Sequence, residues 1–224
     1  MEFDPRAESL ALPQLLGTVE RWSFLWVGST GLFDTVKASD LRRYARNVTL
    51  RDGWCDFATE AQARGVHINI LSLNWSPSWL RLILEEASGC PSVMQKVSTY
   101  CGELLPAGVL PYNPLNHDVP LHIGGDKTVL IKEILRSLPK AQKERVVFVS
   151  DGRADLEPLW RYPTNIGVVA GNSTVSSAPR ALERYNVSIV PAANGFRGYT
   201  GQAEDESFIY GMESWSELQK LLWG

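Results

Sequence analysis

From about residue 54 onward, strands alternate with helices, which predicts an α/β fold: a Rossmann-like parallel sheet with helices on both faces. Three observations carry this expectation. Residues 146–149, Val-Val-Phe-Val, are all apolar and three of them β-branched. The run stops abruptly at Ser150, Asp151 and Gly152, the pattern of a strand buried on both faces. Residues 66–73 and 166–170 read as further strands, each with a helix after it. Between them, Leu130, Ile131, Ile134, Leu135 and Leu138 recur with the helical period.

Residues 1–50 read as an α-rich entry segment and residues 51–224 as the sheet-bearing core. Residues 10–16 suit a short helix. Residues 23–27, Ser-Phe-Leu-Trp-Val, form a short apolar run that reads as a strand, closed by a turn at Gly28 to Gly31. Ser39 or Asp40 would cap a helix reaching Arg46. Residues 54–64 place Trp54, Phe57, Ala58 and Ala61 on one helical face, and Gly65 supplies a left-handed stop.

Ser76-Pro77 is a hydroxyl cap followed by a proline at the first helical position, with Trp79, Leu80, Ile83 and Leu84 as the apolar face and Gly89 as the end. Residues 91–122 are irregular, with a short strand at 100–105. Residues 106–120, holding four prolines and two asparagines, read as a surface loop. Further on, residues 154–162 and 178–185 read as helices, 187–190 as a strand and 194–201 as a loop. Ser214 and Glu217 form a capping box that opens a last helix over 215–223.

Hydrophobic residues make up 44% of the 224-residue chain and charged residues 21%, enough to bury a sizeable core. A net charge of −3 without a basic block argues against nucleic acid as the main partner. The longest apolar runs are far too short to span a membrane. Cys55, Cys90 and Cys101 form no CxxC pair and only three histidines are present, which argues against zinc. An odd cysteine count without a recognisable leader fits a reducing cytosol, hence a cytoplasmic protein. Asn47-Val-Thr49 and Asn172-Ser-Thr174 have glycosylation-acceptor spacing, which matters only in a secreted chain.

The chemistry-bearing residues fall at strand and helix ends. Ser72 ends one strand, Lys127 opens a helix after two glycines, and Asp151 and Asp155 follow the strand at 146–149. A parallel sheet sends such ends to its carboxyl edge, where ligands bind. A hydroxyl, an ammonium and two acids there suit a phosphoryl group with a hard cation, Mg²⁺, held by Asp151 and Asp155. Each residue also has a plainer role. Ser72 would satisfy a buried backbone group, Lys127 would be solvated, and the acids would cap or line a first helical turn.

The order of these residues resembles the haloacid dehalogenase superfamily, and more closely a fungal branch of it. Ile70-Leu-Ser72-Leu-Asn-Trp-Ser76 is similar to the second motif, whose serine holds the phosphoryl group. Asp126-Lys127 is similar to the third, whose lysine stabilises charge, and Val149-Ser-Asp151-Gly-Arg-Ala-Asp155 to the fourth, whose acids bind Mg²⁺. The resemblance covers roughly residues 20–220 and implies a small helical cap from residue 19 to Asn47.

The first motif of that superfamily, an apolar strand ending in Asp-x-Asp, has no counterpart. Asp4 has no strand before it, and Val27 and Ser29 stand where the acids would follow residues 23–27. Covalent phosphatase chemistry needs that carboxylate. In that superfamily the missing strand is the central one of the sheet. Its loss implies that the flanking strands pair directly or that residues 23–27 fill the gap.

The resemblance extends to norbornene-forming Diels–Alderases of the sordarin type. It implies a cyclase acting on an apolar small molecule in fungal secondary metabolism, with no required cofactor. Ser72 or Lys127 would be the polarising donor, and Trp22, Trp26, Asn74, Trp75 and Trp79 would line the substrate. Plain core or cap packing is the competing role for the tryptophans. A Mg²⁺-dependent phosphatase whose first motif lies elsewhere, and a non-catalytic pseudo-phosphatase, are the alternatives.

Overall fold

The computed structural model describes residues 5–102, 104, 116–117, 121–139, 146–161, 166–171, 174, 176–184, 186–194 and 209–224. The chain is mixed α/β and divides into two compact units. One is Gly17–Ile123. The other joins Met1–Leu16 to Gly124–Gly224. The boundary expected at residue 50 falls inside the first of these.

The Gly17–Ile123 unit carries helices α2 (Ala38–Ala45), α3 (Trp54–Ala63), α4 (Pro77–Ser88) and the short α5 (Pro91–Met94). Its sheet is parallel in the order β1 (Asn69–Leu71), β2 (Ser98–Tyr100), β3 (Asn116–His117). The N-terminal helix α1 runs from Pro5 to Ser29. Residues 23–27 are therefore helical, which corrects the strand expected there. A five-residue apolar run is compatible with either period, and here the helix that began at Pro5 carries through it. Phe24 turns inward against His122, their ring centroids 4.1 Å apart, and both rings lie over Gly102.

Helix α2 starts two or three residues earlier than expected. Lys37 occupies its cap position without a side-chain hydrogen bond, so neither Ser39 nor Asp40 caps it. Helix α3 buries Trp54, Phe57, Ala58 and Ala61, the four residues of the predicted face, and Gly65 follows it with φ +72°. Ser76 caps α4 by accepting the Trp79 N–H at 3.1 Å, with Pro77 at the first turn. Ala45, Leu82 and Ile83 form the core between α2 and α4, joined by Leu41, Val48, Leu50, Trp79 and Ala87. Over this core, Glu86 accepts from Arg42 Nη1 and Arg46 Nε, both at 2.9 Å. Arg81 is buried and donates to the Val97 carbonyl at 2.8 Å, just ahead of β2. Burial lowers its pKa, and Glu85 partly offsets this. A disulfide joins Cys55 in α3 to Cys90 ahead of α5, where three reduced thiols were expected; buried Cys101 takes no part in the bridge.

The Gly124–Gly224 part carries α6 (Gly124–Ser137), α7 (Leu156–Arg161), α8 (Ser177–Arg184) and α9 (Trp215–Trp223). Its sheet is parallel in the order β4 (Val147–Ser150), β5 (Ile166–Ala170), β7 (Ile209–Met212), β6 (Ile189–Pro191). Strand β7 was not anticipated. It is four residues long and contains Gly211, where a side chain would press on Ile189 of β6. The core gathers Leu156, Leu159, Val169, Ala178, Ala181, Leu182 and Ile209, with Phe148, Val187 and Ile189 packed on it. Burying each large side chain is worth about 1.5–3 kcal/mol.

Among the described strands β4 is an edge, which corrects its expected burial on both faces. Only Ser150 is buried, and Val147, Phe148 and Val149 are half-buried. Likewise β1 is an edge of its own sheet, and β1 and β4 belong to different sheets, so the direct pairing expected of them is not found among the described strands. Ser214 caps α9 through the Glu217 N–H, while Glu217 reaches back to the Glu213 N–H at 2.9 Å, one residue earlier than a standard box. Asn116 and His117 form β3 within the stretch read as a loop, whose remaining residues lie outside the described set. Tyr162, Tyr185 and residues 195–201 lie outside it too. Among the described residues no helix is long and apolar enough to cross a membrane.

Candidate active site at the carboxyl end of β4

Strand β4 ends at Ser150, and the chain turns through Asp151 and Gly152 into a single 3-10 turn, Arg153–Asp155, that leads into α7. Two contacts fix this turn. The Asp151 carbonyl accepts the Ser177 and Ala178 N–H groups at 3.1 and 3.0 Å, closing the first turn of α8. Ser177 Oγ accepts the Arg153 N–H at 2.8 Å. On the other side, the first residue of α6 packs so closely on the Ala154 carbonyl that only glycine fits at position 124.

That close approach lets Lys127, one turn into α6, reach Asp155. Lys127 Nζ lies 2.7 Å from Asp155 Oδ1. Ser150 Oγ donates to the other carboxylate oxygen, Oδ2, and itself accepts the Gly152 N–H at 3.0 Å. Lys127, Ser150 and Asp155 are each only 7% exposed, so the pair is shielded from water. A buried ion pair of this kind holds its geometry because each charge needs the other. Asp151, by contrast, points its carboxylate into solvent. It does not cap the next turn, since Gly152 holds that position without a side-chain bond.

The expected metal ligands therefore part company. Asp155 is buried with both oxygens engaged, and Asp151 is exposed. Among the described residues, no three His, Cys, Asp or Glu side chains converge. One exposed carboxylate and one already neutralised by Lys127 do not by themselves fit a Mg²⁺ site, which needs several oxygen ligands.

Ser72 and Asn74 belong to the Gly17–Ile123 unit. Ser72 follows β1 and its N–H donates to the Tyr100 carbonyl at 2.9 Å. Its hydroxyl accepts the Asn74 N–H at 3.0 Å, and Asn74 Oδ1 accepts the Trp75 N–H at 2.6 Å. This is a backbone role of the kind weighed for Ser72, here toward a part-buried N–H two residues on, and it repeats the Ser150–Gly152 contact at the end of β4. Burial raises the pKa of Tyr100 beside it.

The four tryptophans do not share one environment. Trp79 packs on the Ala45, Leu82 and Ile83 core. Trp75 meets Phe33 edge-on at 5.3 Å. Trp22 and Trp26 stand in solvent on α1, 69% and 68% exposed.

Two contributors escaped the sequence. Ser150 reads as a turn residue, and only its place five residues before Asp155 hints at the contact. Gly124 reads as a helix start, although its need for close approach is what brings Lys127 within reach. Comparison with protein-family models, curated proteins and solved structures returns no match.

Proposed function

We propose that this chain is a haloacid-dehalogenase-like scaffold that acts on an apolar small molecule without a phospho-enzyme intermediate, as a cyclase of the Diels–Alder type. The observation that carries the reading is the buried Lys127–Asp155–Ser150 set at the carboxyl end of β4. The helical state of residues 23–27 supports it, since no strand-borne carboxylate stands there to act as nucleophile.

Lys127 Nζ is held in an ion pair with Asp155, and an ammonium carries three donors. One of these can polarise a substrate carbonyl, and a donor fixed in a water-poor site needs little reorganisation as charge shifts. A pericyclic step moves no proton and needs no nucleophile. It gains mainly from holding the two reacting π-systems together. Asp155 and Ser150 would position the donor and take no part in bond making.

A cyclisation leaves the mass unchanged, so the reading is tested in the producing cells. Replacing Lys127 by Met should make an acyclic isomer accumulate, equal in mass to the lost product and richer in C=C bonds. Purified protein should also leave p-nitrophenyl phosphate intact in the presence of Mg²⁺. Robust turnover of that ester would sink the cyclase reading and favour a phosphatase, for which the same lysine and acid would serve the phosphoryl group. An unchanged metabolite profile would favour a non-catalytic role.

A further inference from the structure

We propose that Asn47 is an N-glycan acceptor, and that the chain matures in an oxidising lumen where the Cys55–Cys90 bond closes. This stands apart from the reading of the β4 site. Two features that are not part of that site, one in backbone geometry and one in covalent bonding, call for the same compartment.

The first lies just past α2. The Asn47 and Val48 N–H groups donate to the Tyr44 and Ala45 carbonyls at 3.0 and 3.1 Å, and this turn leads the chain off the helix. Val48 and Leu50 then pack inward on Ala45, Leu82 and Ile83. Asn47 and Thr49 are both exposed. Alternation thus sends the amide and the hydroxyl two residues on to the same solvent side, as an Asn-x-Thr acceptor needs. No described residue takes up the Asn47 side-chain amide. The second acceptor-like triplet begins at Asn172, outside the described residues, and contributes nothing here.

The second feature is the cysteine pairing. Cys55 sits in the first turn of α3, and Cys90 precedes α5. They are 35 residues apart in sequence, yet the fold brings their Cα atoms to 6.0 Å and joins them. Such bonds persist where the redox poise is oxidising, which is also where acceptor asparagines meet the glycosylation machinery. The odd cysteine count is then one bridge plus buried Cys101.

The chemistry balances with two lumenal co-reactants. Asn47 Nδ2 bonds to the anomeric carbon of a polyprenol-diphosphate oligosaccharide. The carbon–oxygen bond to diphosphate breaks, diphosphate leaves with the electron pair, and the amide proton passes to base. Cys55 and Cys90 give two electrons and two protons to a disulfide oxidoreductase, which becomes a dithiol.

The test uses protein isolated from its own cells. Trypsin should release residues 47–51 as one peptide, since Arg46 and Arg51 flank it. When the intact protein is treated with a peptide N-glycosidase in ¹⁸O-water before digestion, this peptide should appear deamidated at residue 47 with one heavy oxygen, and be missing without that treatment. Alkylation of the denatured, unreduced protein should label Cys101 and leave Cys55 and Cys90 unlabelled. Thr49→Ala should abolish the heavy-oxygen signal with the melting curve unchanged. Both signals are required. Stoichiometric recovery of the unmodified peptide, or alkylation of all three cysteines, overturns the proposal.

Discussion

Without the Lys127 ammonium, Asp155 would be left charged where water cannot reach it. Lys127→Met should cost about 3 kcal/mol or more in urea unfolding, because a buried charge is left without its partner. Adding Asp155→Leu should recover much of that loss, which separates the burial of a charge from a packing defect. Gly124→Ala should cost about 1–3 kcal/mol in a thermal melt, since the added carbon meets the Ala154 backbone, which has little room to move. At this scale the sequence placed Lys127 and Asp155 at one sheet edge, as a helix opener and a strand-end acid. Their contact was not readable, because it depends on how closely α6 approaches the turn after β4. Ser72 was readable in its plainer role, because the contact with Asn74 spans two residues and needs only local geometry.

Local signals also placed most of the helices. A cap, a proline or a glycine marked the ends of α3, α4 and α9, and each mark acts within a few residues. Ser76→Ala should therefore cost about 1 kcal/mol in chemical denaturation, by leaving the Trp79 N–H without its acceptor. Between elements, α2 and α4 are clasped by Glu86. Its carboxyl is held below the ordinary glutamate range by the Arg46 hydrogen bond first and by Arg42 as well, against a smaller opposing effect of burial. A depressed carboxylate contributes stability above its unfolded pKa and loses it as pH falls through the lower folded value. The melting temperature should thus drop in acid, and Glu86→Gln should flatten that limb when melts are compared across pH. The run at 23–27 was misread because aromatic and β-branched residues favour a strand locally, while the helix entering from Pro5 decides the outcome.

For the molecule as a whole, the parallel α/β class followed from the alternation of periods, which is repeated often enough to survive single errors. The division into two units and two sheets did not, because strand pairing joins residues far apart and leaves no local mark. The Cys55–Cys90 bond is hidden for the same reason, and it closes a 35-residue span inside the Gly17–Ile123 unit. Reductant should lower the stability of that unit by about 3–4 kcal/mol by freeing its unfolded chain. Hydrogen exchange resolved by segment should show faster global opening across α3 and α4, with β5 and β7 unchanged. Equal acceleration in both units would contradict this.

The place of β7 sets a timetable for synthesis. It is the last strand of the chain, yet it lies between β5 and β6, and among the described strands β6 pairs with β7 alone. A ribosome delivers the chain from its amino end, so β6 emerges before the strand it needs. Until Met212 has emerged, the edges of β5 and β6 face one another with no hydrogen-bond partners between them. This sheet therefore cannot be completed until residue 212 has left the ribosome. A nascent chain that stalls between β6 and β7 would expose those apolar edges to its neighbours, and a stop codon there would be as damaging as one before β5.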